Sequence, residues 1–73
     1  MKLNLRQLRI FHSVSQEKSM SATAEKLHIT QPAISQTIAN LEQELEVKLF
    51  ERLNRRLVLT NTGQVLLDYS TRI

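Results

Sequence analysis

Apolar residues recur at helical spacing along most of the chain, and the breaks in that pattern separate four helical stretches and one short extended segment. Leu5, Leu8, Phe11 and Val14, with Ile10 beside them, share one broad arc, while Arg6, Arg9, Ser13 and Glu17 fall opposite. The spacing predicts a first helix over residues 4–17, with Leu5 inside and Ser13 outside. Ser19 or Ser21 can cap a second helix that turns Ala24 and Leu27 inward. Only His28, Ile29 and Thr30 then precede the next start signal, a turn short enough to force a steep crossing of the two helices. Thr30 is a good N-cap, and Pro32 lies in the first turn, where a missing N–H breaks no intrahelical bond. Ile34, Ile38, Leu41 and Leu45 form the narrow inner stripe of this third helix. Its outer face then carries Pro32, Ser35, Gln36, Ala39 and Gln43, with no charge before Glu42.

Residues 48–60 change character. Leu49-Phe50 and Leu57-Val58-Leu59 flank Asn54-Arg55-Arg56, and Asn tolerates the left-handed backbone of a tight turn, so a short β-hairpin is predicted. Lys48, Arg52, Arg55 and Arg56 against one acid, Glu51, concentrate positive charge at its tip. Thr60 or Asn61 caps a fourth helix with Val65, Leu66, Tyr69 and Ile73 on neighbouring faces, and Gly63 marks a place where two backbones can approach closely. A helix whose apolar residues run to its last position usually continues, so a longer parent chain is expected.

Composition narrows the class. Seventy-three residues allow one small domain, and 41 % hydrophobic with 23 % charged residues is a globular balance. Surface scaling leaves such a chain burying only about 60 % of its unfolded surface. Without cysteine, no disulfide or thiolate metal site can add to that, and a partner chain is the expected source of further stability. The net charge of +3 favours an anionic partner. No apolar run approaches the roughly 20 residues of a spanning helix, and the N-terminus lacks a signal-peptide core, which points to a soluble, cytoplasmic protein without membrane attachment.

Two helices joined by a three-residue turn, the second with a polar uncharged face, follow the logic of a helix-turn-helix that reads DNA. Gln36 can bond adenine N6 and N7, Ser35 can pair with several bases, and Pro32 or Ala33 can touch a thymine methyl. Thr30 and Gln31, at a helix start with free N–H groups, suit a phosphate. Arg52, Arg55 and Arg56 on a protruding hairpin would form a wing that enters the minor groove or grips phosphates. Taken alone, such an arginine cluster is more often a solvated turn, and the outer helix face a plain soluble surface; the pairing of turn and wing separates the readings.

Enzymatic chemistry finds little support. His12 and His28 have no acid at metal-ligand spacing, and no glycine-rich phosphate loop exists. Glu42, Glu44 and Glu46 read as a solvated face, and Met20 and Tyr69 as core or interface residues. No enzyme, metal or cofactor is expected.

Thr30-Gln31-Pro32-Ala33-Ile34-Ser35, followed by Leu41-Glu42-Gln43-Glu44-Leu45 and Leu49-Phe50-Glu51-Arg52, resembles the N-terminal DNA-binding domain of LysR-type bacterial transcriptional regulators. The likeness begins at Leu5-Arg6-Gln7-Leu8, includes Ala24-Glu25-Lys26-Leu27-His28 and reaches Leu59-Thr60 and Gly63. It implies a mostly α winged helix-turn-helix over residues 1–60, with three helices and a short β-hairpin wing. It also implies the start of a dimerisation linker helix over residues 61–73, with the effector-binding domain absent. Thr30, Gln31, Pro32, Ser35 and Gln36 then correspond to positions at or near the DNA, and Arg52, Arg55 and Arg56 to the wing. Val65, Leu66, Tyr69 and Ile73 would form a homodimer interface on the linker helix, with tetramers in full-length members and a dyad-symmetric double-stranded site as partner. Glu46 and Lys18 stand where many relatives carry glycine, and Gln36 where many carry arginine, which shifts the expected base from guanine to adenine. The rival reading is a protein-interaction module on the same fold, with the fourth helix as its binding face.

Overall fold

A computed structural model of the chain describes residues 4–72. Helix α1 spans Leu5–Glu17, α2 Met20–Leu27 and α3 Gln31–Leu45; strands β1 (Phe50–Leu53) and β2 (Arg56–Leu59) follow, and α4 covers Asn61–Ser70. Each helix starts on a side-chain cap. Asn4 and Gln7 form a capping box on α1, and Ser19, Thr30 and Thr60 accept the N–H of Ala22, Ala33 and Gly63 respectively. Of the paired alternatives in the sequence, Ser19 and Thr60 are therefore the caps.

The first three helices end on Lys18, His28 and Glu46, at φ of 55°, 59° and 56°. This left-handed cap reverses the chain and gives the carbonyls of the last turn a donor, but a Cβ there carries strain of about 1–2 kcal/mol.

The core is built from Ile10, Phe11 and Val14 of α1, Ala24 of α2, Ile34, Ile38 and Leu41 of α3, and Leu49, Phe50 and Leu57 around the hairpin. The rings of Phe11 and Phe50 meet with centroids 5.4 Å apart, tilted by 50°, which ties the hairpin to the helices. Leu27, Leu45, Leu66 and Leu67 pack half-buried against this centre.

Two positions on α1 reverse the expected sides. Leu5 is 74 % exposed and Ser13 only 6 %. The helix is packed by α2, α3 and α4, so the buried arc is wider than its apolar stripe and takes in Gln7, Ser13 and Ser15. Leu5, in the first turn, lies beyond those neighbours. Ser15 satisfies its hydroxyl on the Phe11 carbonyl at 2.9 Å, whereas the Ser13 hydroxyl has no partner.

β1 and β2 pair antiparallel, with Phe50 opposite Leu59 and Leu53 opposite Arg56. The two residues between them, Asn54 and Arg55, both have positive φ, 51° and 69°. That is the mirror-image turn whose twist suits a hairpin. Asn54 was expected there; Arg55 adopts the same conformation at greater strain, since arginine lacks the short polar side chain that eases it.

Glu42 is no member of a solvated face. Its Oε2 accepts the N–H of Leu49 at 2.7 Å and of Phe50 at 3.3 Å, which holds the chain as it enters β1. Glu44 accepts from Gln7 Nε2 at 3.2 Å and so joins α3 to α1. Gly63 sits at the N-terminus of α4 against the same segment. A Cβ there would overlap the Leu49 carbonyl oxygen and lie 2.8 Å from Leu59 Cδ2, the close backbone approach expected of this residue. No helix among the described residues is long and apolar enough to cross a membrane.

Candidate nucleic-acid interface

The start of α3 is exposed on the face opposite its core stripe. Gln31, Pro32, Ser35, Gln36 and Ala39 are exposed, while Ile34, Ile38 and Leu41 are buried. Thr30 Oγ1 is committed to capping, since it accepts the Ala33 N–H at 3.3 Å. Three further side-chain bonds fix this face. Ser21 Oγ donates to Gln31 Oε1 at 3.0 Å, Ser35 Oγ donates to Met20 Sδ at 3.4 Å, and Gln36 Nε2 donates to Asn40 Oδ1 at 2.8 Å. The last bond uses one amide proton of Gln36 and leaves its Oε1 and second proton, the pair that adenine N6 and N7 require.

Alternation along the hairpin sorts the wing residues. Arg52, paired with Leu57, lies on the core-facing side with Phe50 and Leu59, just past the buried residues; Leu53 and Arg56 lie on the other side. Neither ion pair among the described residues, Lys26–Glu17 at 3.4 Å or Lys48–Glu42 at 4.0 Å, involves Arg52, Arg55 or Arg56. Their charge is left for an external anion.

A single open groove runs between the wing and the amino-terminal ends of α2 and α3. Gln31 from α3 and Arg52, Arg55 and Arg56 from the wing line it together, with Leu57 and Leu59 of β2. Ser35 and Gln36 are outside this lining, further along α3. Lys18, Ser19, Met20 and Ser21 from the start of α2 also line the groove, and these the sequence reading did not include. The available signal was a lysine directly before an N-cap serine, a cation beside the free N–H groups of a helix start.

On α4, Val65 and Tyr69 are 68 % and 58 % exposed, whereas Leu66 turns half-buried toward the domain's own core. Ile73 lies outside the described residues. His12 is half-buried on α1 and His28 is the exposed left-handed cap of α2.

A short turn between two helices, a two-stranded wing and a cationic groove between them define a winged helix-turn-helix domain. The family described as bacterial regulatory helix-turn-helix proteins, lysR family, matches residues 5–64. The chain belongs to this LysR family, a family of transcriptional regulators and not of enzymes. It is 44 % identical over 73 residues to the RuBisCO operon transcriptional regulator of Allochromatium vinosum, covering all of this chain and 24 % of that protein. It is 46 % identical over 71 residues to a regulator from the ibpB-leuC intergenic region of Azotobacter vinelandii, covering 97 % of this chain and 49 % of the relative. The chain thus spans between a quarter and a half of these relatives' length. Among solved structures, the BenM DNA-binding domain in complex with catB site 1 DNA superposes with a TM-score of 0.91 at 40 % identity, covering 96 % of this chain and 78 % of that one. The CbnR DNA-binding domain in its DNA complex gives 0.89 at 37 % identity, covering 96 % and 80 %.

Proposed function

We propose that the chain is the DNA-binding part of a bacterial LysR-type transcriptional regulator, which reads a double-stranded site on the chromosome in the cytoplasm. Residues 1–60 form the reading unit and 61–73 begin a linker helix. The observation that carries the reading is the groove in which Gln31 of α3 meets Arg52, Arg55 and Arg56 of the wing. In this reading α3 enters the major groove, Ser35 and Gln36 read base edges, and Thr30, Gln31 and Pro32 sit where the helix start meets the strand. The arginines hold the minor groove or the phosphates alongside. Val65 and Tyr69, exposed on α4, pair with a second copy in a homodimer that can assemble further to a tetramer. A two-fold dimer engages half-sites about 34 Å apart or a multiple of it.

Fluorescence anisotropy with dyad-symmetric and random duplexes at two salt concentrations tests this directly. Preferential binding to some dyads, weakening steeply with salt, is the expected result. Arg55→Ala should weaken all duplexes alike and reduce the salt slope by about one, whereas Gln36→Ala should blunt discrimination between sites. A folded chain that binds no duplex at low salt refutes the reading and favours a protein-interaction module.

A further inference from the structure

Two of the polar groups on the exposed face of α3, Gln31 and Ser35, hydrogen-bond to the start of α2. Resting on the DNA reading above, we propose that Met20 and Ser21 are positioning residues that set the hydrogen-bond polarity of the reading helix, holding Ser35 as an acceptor and Gln31 as a donor. A serine hydroxyl has one hydrogen and two lone pairs. In this chain Ser35 Oγ lies 3.4 Å from Met20 Sδ and can donate its hydrogen there, an arrangement that turns its lone pairs outward. Met20 is half-buried and packed against the core, which keeps the sulfur in place. Ser35 therefore accepts from an exocyclic amine, adenine N6 or cytosine N4. It meets guanine O6 and N7 or thymine O4 as one acceptor against another.

Gln31 has the opposite character. Ser21 Oγ donates to its Oε1 at 3.0 Å, which orients the amide with both Nε2 protons available. Gln31 lies in the groove with Arg52, Arg55 and Arg56, so those protons join the guanidinium donors in a place suited to phosphate oxygens. Ser35 thereby discriminates between bases and Gln31 fixes the register.

Met20→Leu removes the sulfur acceptor while keeping the volume, a swap that cores tolerate. Selection from a randomised duplex library, followed by anisotropy titrations on single base-pair variants, would compare the 73-residue wild type with Met20→Leu, Met20→Gln, Ser35→Ala and the Met20→Leu/Ser35→Ala double variant. In the wild type, one base-pair position should favour adenine or cytosine by about five-fold, the worth of one hydrogen bond. Met20→Leu should erase that preference, read as the ratio of affinities between the single base-pair variants, because the released hydroxyl can donate as well as accept. Met20→Gln, which restores an acceptor on an unbranched stem, should keep it. Ser35→Ala should lose the same preference, with no further loss in the double variant. An intact preference at the Ser35-dependent position in Met20→Leu overturns the proposal and leaves the DNA reading standing. Loss of the preference in a folded Met20→Gln also overturns it. A wild type that binds no duplex removes the DNA reading itself.

Discussion

Glu42 holds the junction between the helices and the wing, and its removal should cost the domain more than any surface acid. Glu42→Ala leaves the Leu49 and Phe50 N–H groups without the oxygen that now lies 2.7 and 3.3 Å away. Leu49 is fully buried, so water cannot easily replace that acceptor. The shorter, charge-assisted bond is worth about 1.5–3 kcal/mol, and the longer one adds less than a full bond. Against this, removing an acid from the last turn of α3 relieves about 0.3–1 kcal/mol of unfavourable interaction with the helix dipole. The ion pair to Lys48 decides little, because that lysine is 81 % exposed and its nitrogen is 4.0 Å away. The net loss is about 2 kcal/mol, a large share of the stability of a domain this size. Urea unfolding followed by helical circular dichroism measures it, and the corresponding fall in melting temperature is on the order of 10 °C. Glu42→Gln keeps an oxygen acceptor and should recover about half of the loss. If Gln and Ala prove equally damaging, charge and not hydrogen bonding explains the residue; if Ala is as stable as wild type, the bonds to Leu49 and Phe50 contribute nothing.

Gly63→Ala should destabilise by about 1–3 kcal/mol through overpacking, against a helix-propensity gain of about 1 kcal/mol that would dominate if the site were open. Thermal melts decide the sign, since the added methyl meets the Leu49 carbonyl and the Leu59 side chain. Glu46→Gly should stabilise by about 0.5–1 kcal/mol in urea, because it relieves a left-handed φ of 56° and the strain removed exceeds the entropy glycine adds to the unfolded chain. Ser13→Ala should gain about 1 kcal/mol in the same assay, by removing a buried hydroxyl without a partner; an equal loss would reveal that the hydroxyl is satisfied in solution.

The helices were legible because each begins on a side-chain cap and carries an apolar stripe, two signals that depend only on local sequence. Thr30, Pro32 and the series Ile34, Ile38 and Leu41 fix α3 in this way, and all three apolar residues are buried. What depends on neighbours was not legible. Ser13 is inside and Leu5 outside because α1 is packed on three sides, which no periodicity along α1 itself records. Glu42 read as solvated because its partners lie seven and eight residues on, and reach it only after the chain has turned at Glu46. In the candidate interface, the residue types on α3 and the wing were readable, but the groove's third wall was not. Lys18, Ser19, Met20 and Ser21 come to it through the packing of α2 against α1 and α3, a tertiary property.

The same arrangement separates charge along the molecule. Glu42, Glu44 and Glu46 gather at the carboxyl end of α3, where the helix dipole disfavours acids, while the groove at its amino end is lined by Lys18, Arg52, Arg55 and Arg56. Glu42 and Glu44 are held there by bonds to Leu49, Phe50 and Gln7, which offset the unfavourable dipole. At 1.5 Å per residue, the acids stand about 16–23 Å from Gln31 along the helix. The Debye length at 0.1 M salt is about 10 Å, so at that distance they scarcely weaken the field of the groove. A net charge of only +3 therefore understates the attraction a polyanion meets on approaching the wing. In the DNA reading proposed above, the acids disfavour approach of the polyanion at the far end of α3, which would orient the domain with Gln31 and the arginines foremost before any base is read.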